Sequence, residues 1–169
     1  MLADLDADGT NYYECVVKLA AVMKQRAMEQ TGVDLPNEQL MLCVVGHLID
    51  EPPKKWDGPR VGKLAGMRFA LGSEFFRNMG WNGFKPDRHV MRLLDRWARS
   101  LVQQQSSRVN ELIPLIGRDT KELRELLRYS LAGIEITSGD NYSRADNLIW
   151  LLGAYVEKKG KESPTRYFR

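Results

Sequence analysis

The strongest restriction on the fold of this chain is a helical spacing of apolar residues that runs through nearly all of it. Between Tyr12 and Met28, the side chains of Tyr12, Cys15, Val16, Leu19, Val22 and Met23 recur at three- and four-residue steps and so share one face of a helix. Thr10 or Asn11 can cap its start and Gly32 can end it. Leu35 to Ile49 predicts a second helix, entered through Pro36-Asn37 and strongly apolar from Leu40 onward. Residues 50–63, DEPPKKWDGPRVGK, hold three prolines and two glycines and predict a loop. A third helix is expected from Phe69 to Met79, with Phe69, Phe75, Phe76 and Met79 as core contacts. After the turn GWNGFKP comes an amphipathic helix from Asp87 to about Gln104. Val90, Leu93, Leu94, Trp97 and Leu101 line one face of it, with Arg88, Arg92, Arg96 and Arg99 interleaved. Ser106 to Leu115 reads as a short helix interrupted by Pro114. Asp119 caps a helix running to Leu131, and Ser143 caps the last, Arg144 to Lys159. The longest alternating stretch, Gly133 to Thr137, reads as a linker. The expectation is one all-α domain over residues 1–169, a compact bundle of about seven helices, with an acidic flexible start at 1–9 and a basic tail at 158–169.

Charge and motif searches remove whole classes of function. Net charge is −6 over residues 1–53, +8 over 54–108 and +1 over 109–169, so a chain of only +3 conceals a basic middle third suited to a polyanion. No run approaches the ~18 consecutive apolar residues of a membrane helix, so no membrane partner is expected. The opening MLADLDADGT is acidic where a secretory signal is basic and apolar, which points to the cytoplasm. Cys15 and Cys43 lie in apolar helical stretches and read as reduced core residues, too few for an iron–sulfur cluster within the chain. Asp4, Asp6, Asp8 and Gly9 imitate half of an EF-hand loop, but Cys15 stands where its bidentate glutamate belongs. His47 and His89 form no metal-binding pair, and GxSxG, Walker and GxGxxG motifs are missing. No metal and no cofactor are expected.

One segment carries a specific signal. Leu64-Ala65-Gly66-Met67-Arg68, followed by an apolar helix, resembles the hairpin of the helix-hairpin-helix DNA glycosylase superfamily with the endonuclease III-like fold, whose hairpin reads Leu-Pro-Gly-Val-Gly. About one helix later that family places its catalytic aspartate in a Val-Asp-Thr-His-Val-x-Arg context. Pro86-Asp87-Arg88-His89-Val90-Met91-Arg92 resembles this, with Asp87, His89, Val90 and Arg92 in matching places. The likeness is close over residues 64–97, within a helix-hairpin-helix and aspartate-helix unit at about 59–104. It implies a double-stranded DNA partner and hydrolysis of the N-glycosidic bond of a damaged or mismatched base. Three departures stand out. Arg68 replaces the second hairpin glycine, and Ala70 replaces the Schiff-base lysine of members with lyase activity, which implies a monofunctional enzyme. Only 63 residues precede Leu64, fewer than the family usually has.

The chemistry fits those residue types. A hairpin opening a helix presents backbone N–H groups and a positive dipole end to phosphate. Gly66 permits close approach, and Lys63, Met67, Arg68 and Arg92 complete the expected DNA contacts, with Lys54, Lys55 and Arg60 just upstream. Asp87 would stabilise the oxocarbenium-like sugar and activate water. Trp56, Trp81, Phe84 and Trp150 are the candidate aromatics for holding an extruded base. Asp87 is also suited to plain helix capping, worth about 1 kcal/mol. Two other readings therefore remain open: a non-catalytic helical module that binds DNA or a protein, and a homo-oligomeric interaction domain whose acidic start pairs with the basic middle.

Overall fold

A computed structural model describes residues 11–137 and 141–156. The expected acidic start at 1–9 and the basic tail at 158–169 lie outside the described residues. Eight α-helices occur among those described: α1 (Tyr12–Thr31), α2 (Asn37–Leu48), α3 (Phe69–Asn78), α4 (Arg88–Trp97), α5 (Arg99–Gln104), α6 (Ser106–Ile116), α7 (Lys121–Thr137) and α8 (Tyr142–Leu151). A π-helical turn, Leu152–Val156, continues α8. None of these helices is long and apolar enough to cross a membrane.

The bundle is organised around α2. From Leu40 to Leu48 every residue of this helix is buried, and Met41, Leu42, Cys43, Val44, Val45 and Leu48 have no exposed surface. A helix apolar on all sides is stable only when other elements surround it. Here α1, α3, α6 and α7 do so. The amphipathic helices each contribute one face: Val16, Leu19 and Met23 from α1, Phe69 and Phe76 from α3, and Leu123 and Leu127 from α7. Burying such a side chain contributes about 1.5–3 kcal/mol.

Helix boundaries differ from expectation where local chemistry gives no clue. The helix expected from Asp87 to about Gln104 is split at Ala98 (φ −138°, ψ 29°), which turns the expected seven helices into eight; no glycine or proline marks the break. Pro114 does not interrupt α6, because the buried Leu112, Ile113, Leu115 and Ile116 hold the chain helical as far as Gly117. Gly133 to Thr137 is not a linker but the last turn and more of α7, in which Gly133 and Ile134 are buried. Thr120, not Asp119, caps α7, its Oγ1 accepting from the Leu123 N–H at 3.1 Å, while Asp119 pairs with Arg124. Asn141 caps α8, leaving Ser143 inside the helix. Asn11 and Gly32 bound α1 as the sequence suggests.

Gly133 shows how close the packing is. A Cβ built on it would lie 2.4 Å from Cε1 of Phe84, whose ring is fully buried against the α7 backbone. Helix propensity favours alanine over glycine by about 1 kcal/mol, but overpacking costs about 1–3 kcal/mol and here meets an enclosed ring. Gly133→Ala is therefore expected to lower the urea midpoint, a net loss of up to about 2 kcal/mol. A midpoint equal to or above that of the parent chain would show that the Phe84 ring can give way.

Candidate active site

The segment Leu64 to Met67 forms a tight turn, closed by the Met67 N–H donating to the Leu64 carbonyl at 3.1 Å. Gly66 occupies its third position at φ +73°, the left-handed conformation that this turn type requires. A Cβ there would meet nothing within 4 Å, so the turn faces open space. The Leu64 N–H donates to the Leu48 carbonyl at 2.8 Å, tying the turn to the end of α2. Between α2 and α3 the chain is not helical, so a helix stands on only one side of this hairpin. Arg68 is extended and begins α3 without a side-chain cap, which leaves the first N–H groups of that helix to other acceptors.

Unlike Arg68 at α3, Asp87 opens α4 as a side-chain cap. Its Oδ1 accepts from the His89 N–H at 2.8 Å and from the Val90 N–H at 3.0 Å. Its Oδ2 lies 3.7 Å from Lys85 Nζ, which is also 3.3 Å from Glu74 Oε2. One oxygen is thus held by the helix and the other faces a cation, with the carboxylate 17% exposed.

A cavity of about 720 Å³ joins these two helix starts. Arg68, Phe69 and Ala70 line it from α3, and Pro86, Asp87, Arg88, His89 and Met91 from α4 and its approach. Glu122, Glu125 and Leu126 of α7 and Trp150 of α8 complete it. The size is that of small-molecule pockets, about 300–1,000 Å³. Trp150 stands edge-on to His89, with centroids 6.1 Å apart. A second recess of about 360 Å³ shares Arg68, Phe69, Glu122 and Leu126 and extends to Arg118.

The structure therefore gathers Asp87, Arg68 and Trp150, with Gly66 two residues ahead of Arg68 in the adjoining turn. The other expected site residues lie elsewhere. Trp56 is buried in the core region, its ring covered by Arg26 at 4.1 Å and by His47 at 4.5 Å, and its Nε1 donates to the Pro59 carbonyl. Trp81 packs on Phe76, and Phe84 is sealed against α7. None of these three lines the cavity, because the core needs their area more than the surface does. Met67 is half-buried against the core. Lys63 pairs with Glu51 at 2.9 Å. Arg92 donates to the Gly153 carbonyl at 2.6 Å and fastens the π-helical turn to α4.

Comparison with protein-family models, with curated proteins and with solved structures found no match to this chain. Its own chemistry must carry the reading. Among the described residues no group of His, Cys, Asp and Glu is placed to hold a metal ion.

In sequence, Ser143 with Asp146 reads as a helix-start signature, which gives no sign of the buried pair that Asp146 forms. Asp146 has no exposed side-chain surface and pairs with Arg77, itself 7% exposed. The clue lay in α8, where Asp146 interrupts the inward face of Tyr142, Ile149 and Trp150. Glu122 and Glu125 gave no such clue, since glutamates on a helix surface are ordinary. Burial pushes the Asp146 carboxyl up to about 6, against the opposing pull of Arg77 and Lys85. A carboxyl whose folded value is raised favours folding while it is protonated in both states. That contribution is lost as pH rises from the ordinary carboxylate value of 3.8 through about 6. Asp146→Asn should remove this part of the pH dependence in urea denaturation. An unchanged slope of stability against pH would show that Asp146 does not titrate in that window.

Proposed function

We propose that this protein is a DNA-binding helical domain resembling the monofunctional base-excision glycosylases, with Asp87 as its catalytic carboxylate. One observation carries the reading: Asp87 and the start of α3 at Arg68 and Phe69 face one cavity walled by Trp150, and the Gly66 turn runs directly into that start. The phosphate backbone of a duplex would rest on the Gly66 turn and the uncapped N–H groups of α3, with Arg68 and Arg88 supplying charge. A damaged or mismatched base would leave the stack and enter the cavity beside Trp150 and His89. As the N-glycosidic bond breaks, its electron pair leaves with the base and positive charge grows on the sugar. The Asp87 carboxylate stabilises that charge and accepts the proton of the water that adds to the sugar; the departing base anion then takes up that proton by way of solvent, giving an abasic site, the free base and the carboxylate again. Oδ1 is engaged by the helix, so Oδ2 is the atom for this work. Ala70, at the cavity edge, has no amine for a Schiff base, so strand cleavage would not follow. Such a protein would act on DNA in the cytoplasm.

The two cap bonds to Asp87 Oδ1 also suit a second reading, a helical module that binds DNA or a protein partner without chemistry. Purified protein on duplexes carrying a panel of lesions and mismatches decides between them. The expected result is release of one class of base, leaving alkali-sensitive sites, with Asp87→Asn slower by about 100-fold or more while still binding. Base release from no duplex, with DNA binding unchanged by Asp87→Asn, would leave the non-catalytic module. Salt titration gives a separate check on the DNA contact. Arg68→Ala should reduce the slope of log K against log[salt] by about 0.9, the value for one phosphate contact. An unchanged slope would place Arg68 off the DNA.

A further inference from the structure

The groove between α6 and the start of α7 holds more positive charge than its surroundings balance. It encloses about 300 Å³ over the buried side chain of Val109, at the small end of ligand pockets. Lys121, Arg124 and Arg128 stand along one wall at three- and four-residue steps, so the three cations share one stripe of α7. Among the described residues, Asp119 is the sole carboxylate in the lining, and it is already engaged. Both its oxygens accept from Arg124, Oδ2 from Nη2 at 2.8 Å. Nη1 of Arg124 donates to Asn110 Oδ1 at 2.7 Å. That guanidinium is therefore held in one orientation, with further Nη hydrogens and the Asn110 Nδ2 group still able to donate. Lys121 and Arg128 have no carboxylate within ion-pairing distance among the described residues, not even Glu125 one turn away. Arg128 is half-buried in that state.

Folding alone gives no reason for this arrangement. Like charges at these spacings repel along a helix, and Lys121 in the first turn adds to the positive end of the α7 dipole. A half-buried guanidinium without a counter-ion is a further cost. We propose that this groove binds a phosphate-class oxyanion, with Lys121 and Arg128 as its counter-charges and the Arg124 fork and Asn110 Nδ2 as its directed donors. The several oxygens of a phosphate group can accept from all of these at once, and guanidinium donors match its geometry. Ser106 only walls the groove, because its hydroxyl donates to the Gln103 carbonyl at 2.9 Å. Asp119 acts in two directions, orienting Arg124 while repelling the anion. The groove shares no lining residue with the Asp87 cavity, so the site stands apart from the glycosylase reading.

The test is titration of the full-length protein with inorganic pyrophosphate at low salt, read by calorimetry. Saturable binding at one site is expected. Arg128→Gln should weaken it by about tenfold and the exposed Lys121→Gln by about threefold. Lys18→Gln removes the same charge from the exposed side of α1 and should weaken it by less than about twofold. Asp119→Asn keeps an acceptor for Arg124 but removes the repelling charge, and should tighten binding. Urea unfolding supplies a readout that damaged folding would not imitate. Without the anion, Lys121→Gln should unfold at the parent midpoint or above it, because repulsion along α7 is relieved. Pyrophosphate should raise the midpoint of the parent and raise that of either variant less. No saturable binding would overturn the proposal, as would equal weakening by Lys18→Gln and Arg128→Gln. Competition with a duplex oligonucleotide then identifies the source of the phosphate. Displacement of pyrophosphate, with a salt slope lower by about 0.9 in Arg128→Gln, assigns the groove to a nucleic-acid backbone. A duplex that leaves pyrophosphate seated assigns it to a free phosphorylated molecule.

Discussion

The rest of the structure depends on the burial of α2 on every side. A helix with Met41, Leu42, Cys43, Val44, Val45 and Leu48 all removed from water must be surrounded, and the surrounding helices then have little choice of position. The hairpin turn hangs from its end through the Leu64 to Leu48 bond. That link places the start of α3 at the edge of the core, not within it. The cavity forms where α3, α4, α7 and α8 meet away from α2, so strongly polar side chains can gather there without weakening the apolar centre.

The basic middle third looks different once its partners are known. Lys63 is matched by Glu51, Lys85 by Glu74 and Asp87, Arg99 by Asp95, and Arg108 by Glu111. Arg77 is held by Asp146 from a distant part of the chain. The exposed pairs among these contribute little to stability, about 0–1 kcal/mol each, but they do cancel charge locally. Arg68 and Arg88 remain at the cavity, facing an acidic wall of Glu122 and Glu125. Glu51, Glu111 and Asp146 come from outside residues 54–108, so the long-range attraction for a polyanion is smaller than the +8 of that segment suggests. Recognition by backbone N–H groups at the turn gains correspondingly in weight.

Much of the fold was legible because helices announce themselves through local periodicity. The apolar run from Leu40, the cap at Asn11 and the stop at Gly32 all act over a few residues. The break at Ala98 and the continuation of α7 through Gly133 were not legible, because each is decided by distant partners. Val102 needs a new direction to reach the core, and Phe84 needs the bare backbone of Gly133. Of the four aromatic candidates, only Trp150 lines the cavity. A tryptophan's sequence neighbours do not say whether its large ring will close a core or wall a pocket.

By itself, the sequence determined that this chain is helical, that its second helix is strongly apolar from Leu40 onward, and that a glycine turn precedes α3 as an aspartate precedes α4. These are properties of hydrogen bonds and side chains within one or two turns of each other. Tertiary structure alone decided that the start of α3, which the glycine turn leads into, and the aspartate face one cavity and that Trp150 walls it. It also decided that Asp146 is a buried counter-ion and not an ordinary surface carboxylate. Those outcomes depend on contacts such as Arg77 with Asp146, which lie 69 residues apart. Their energies exist only after the chain has closed around α2.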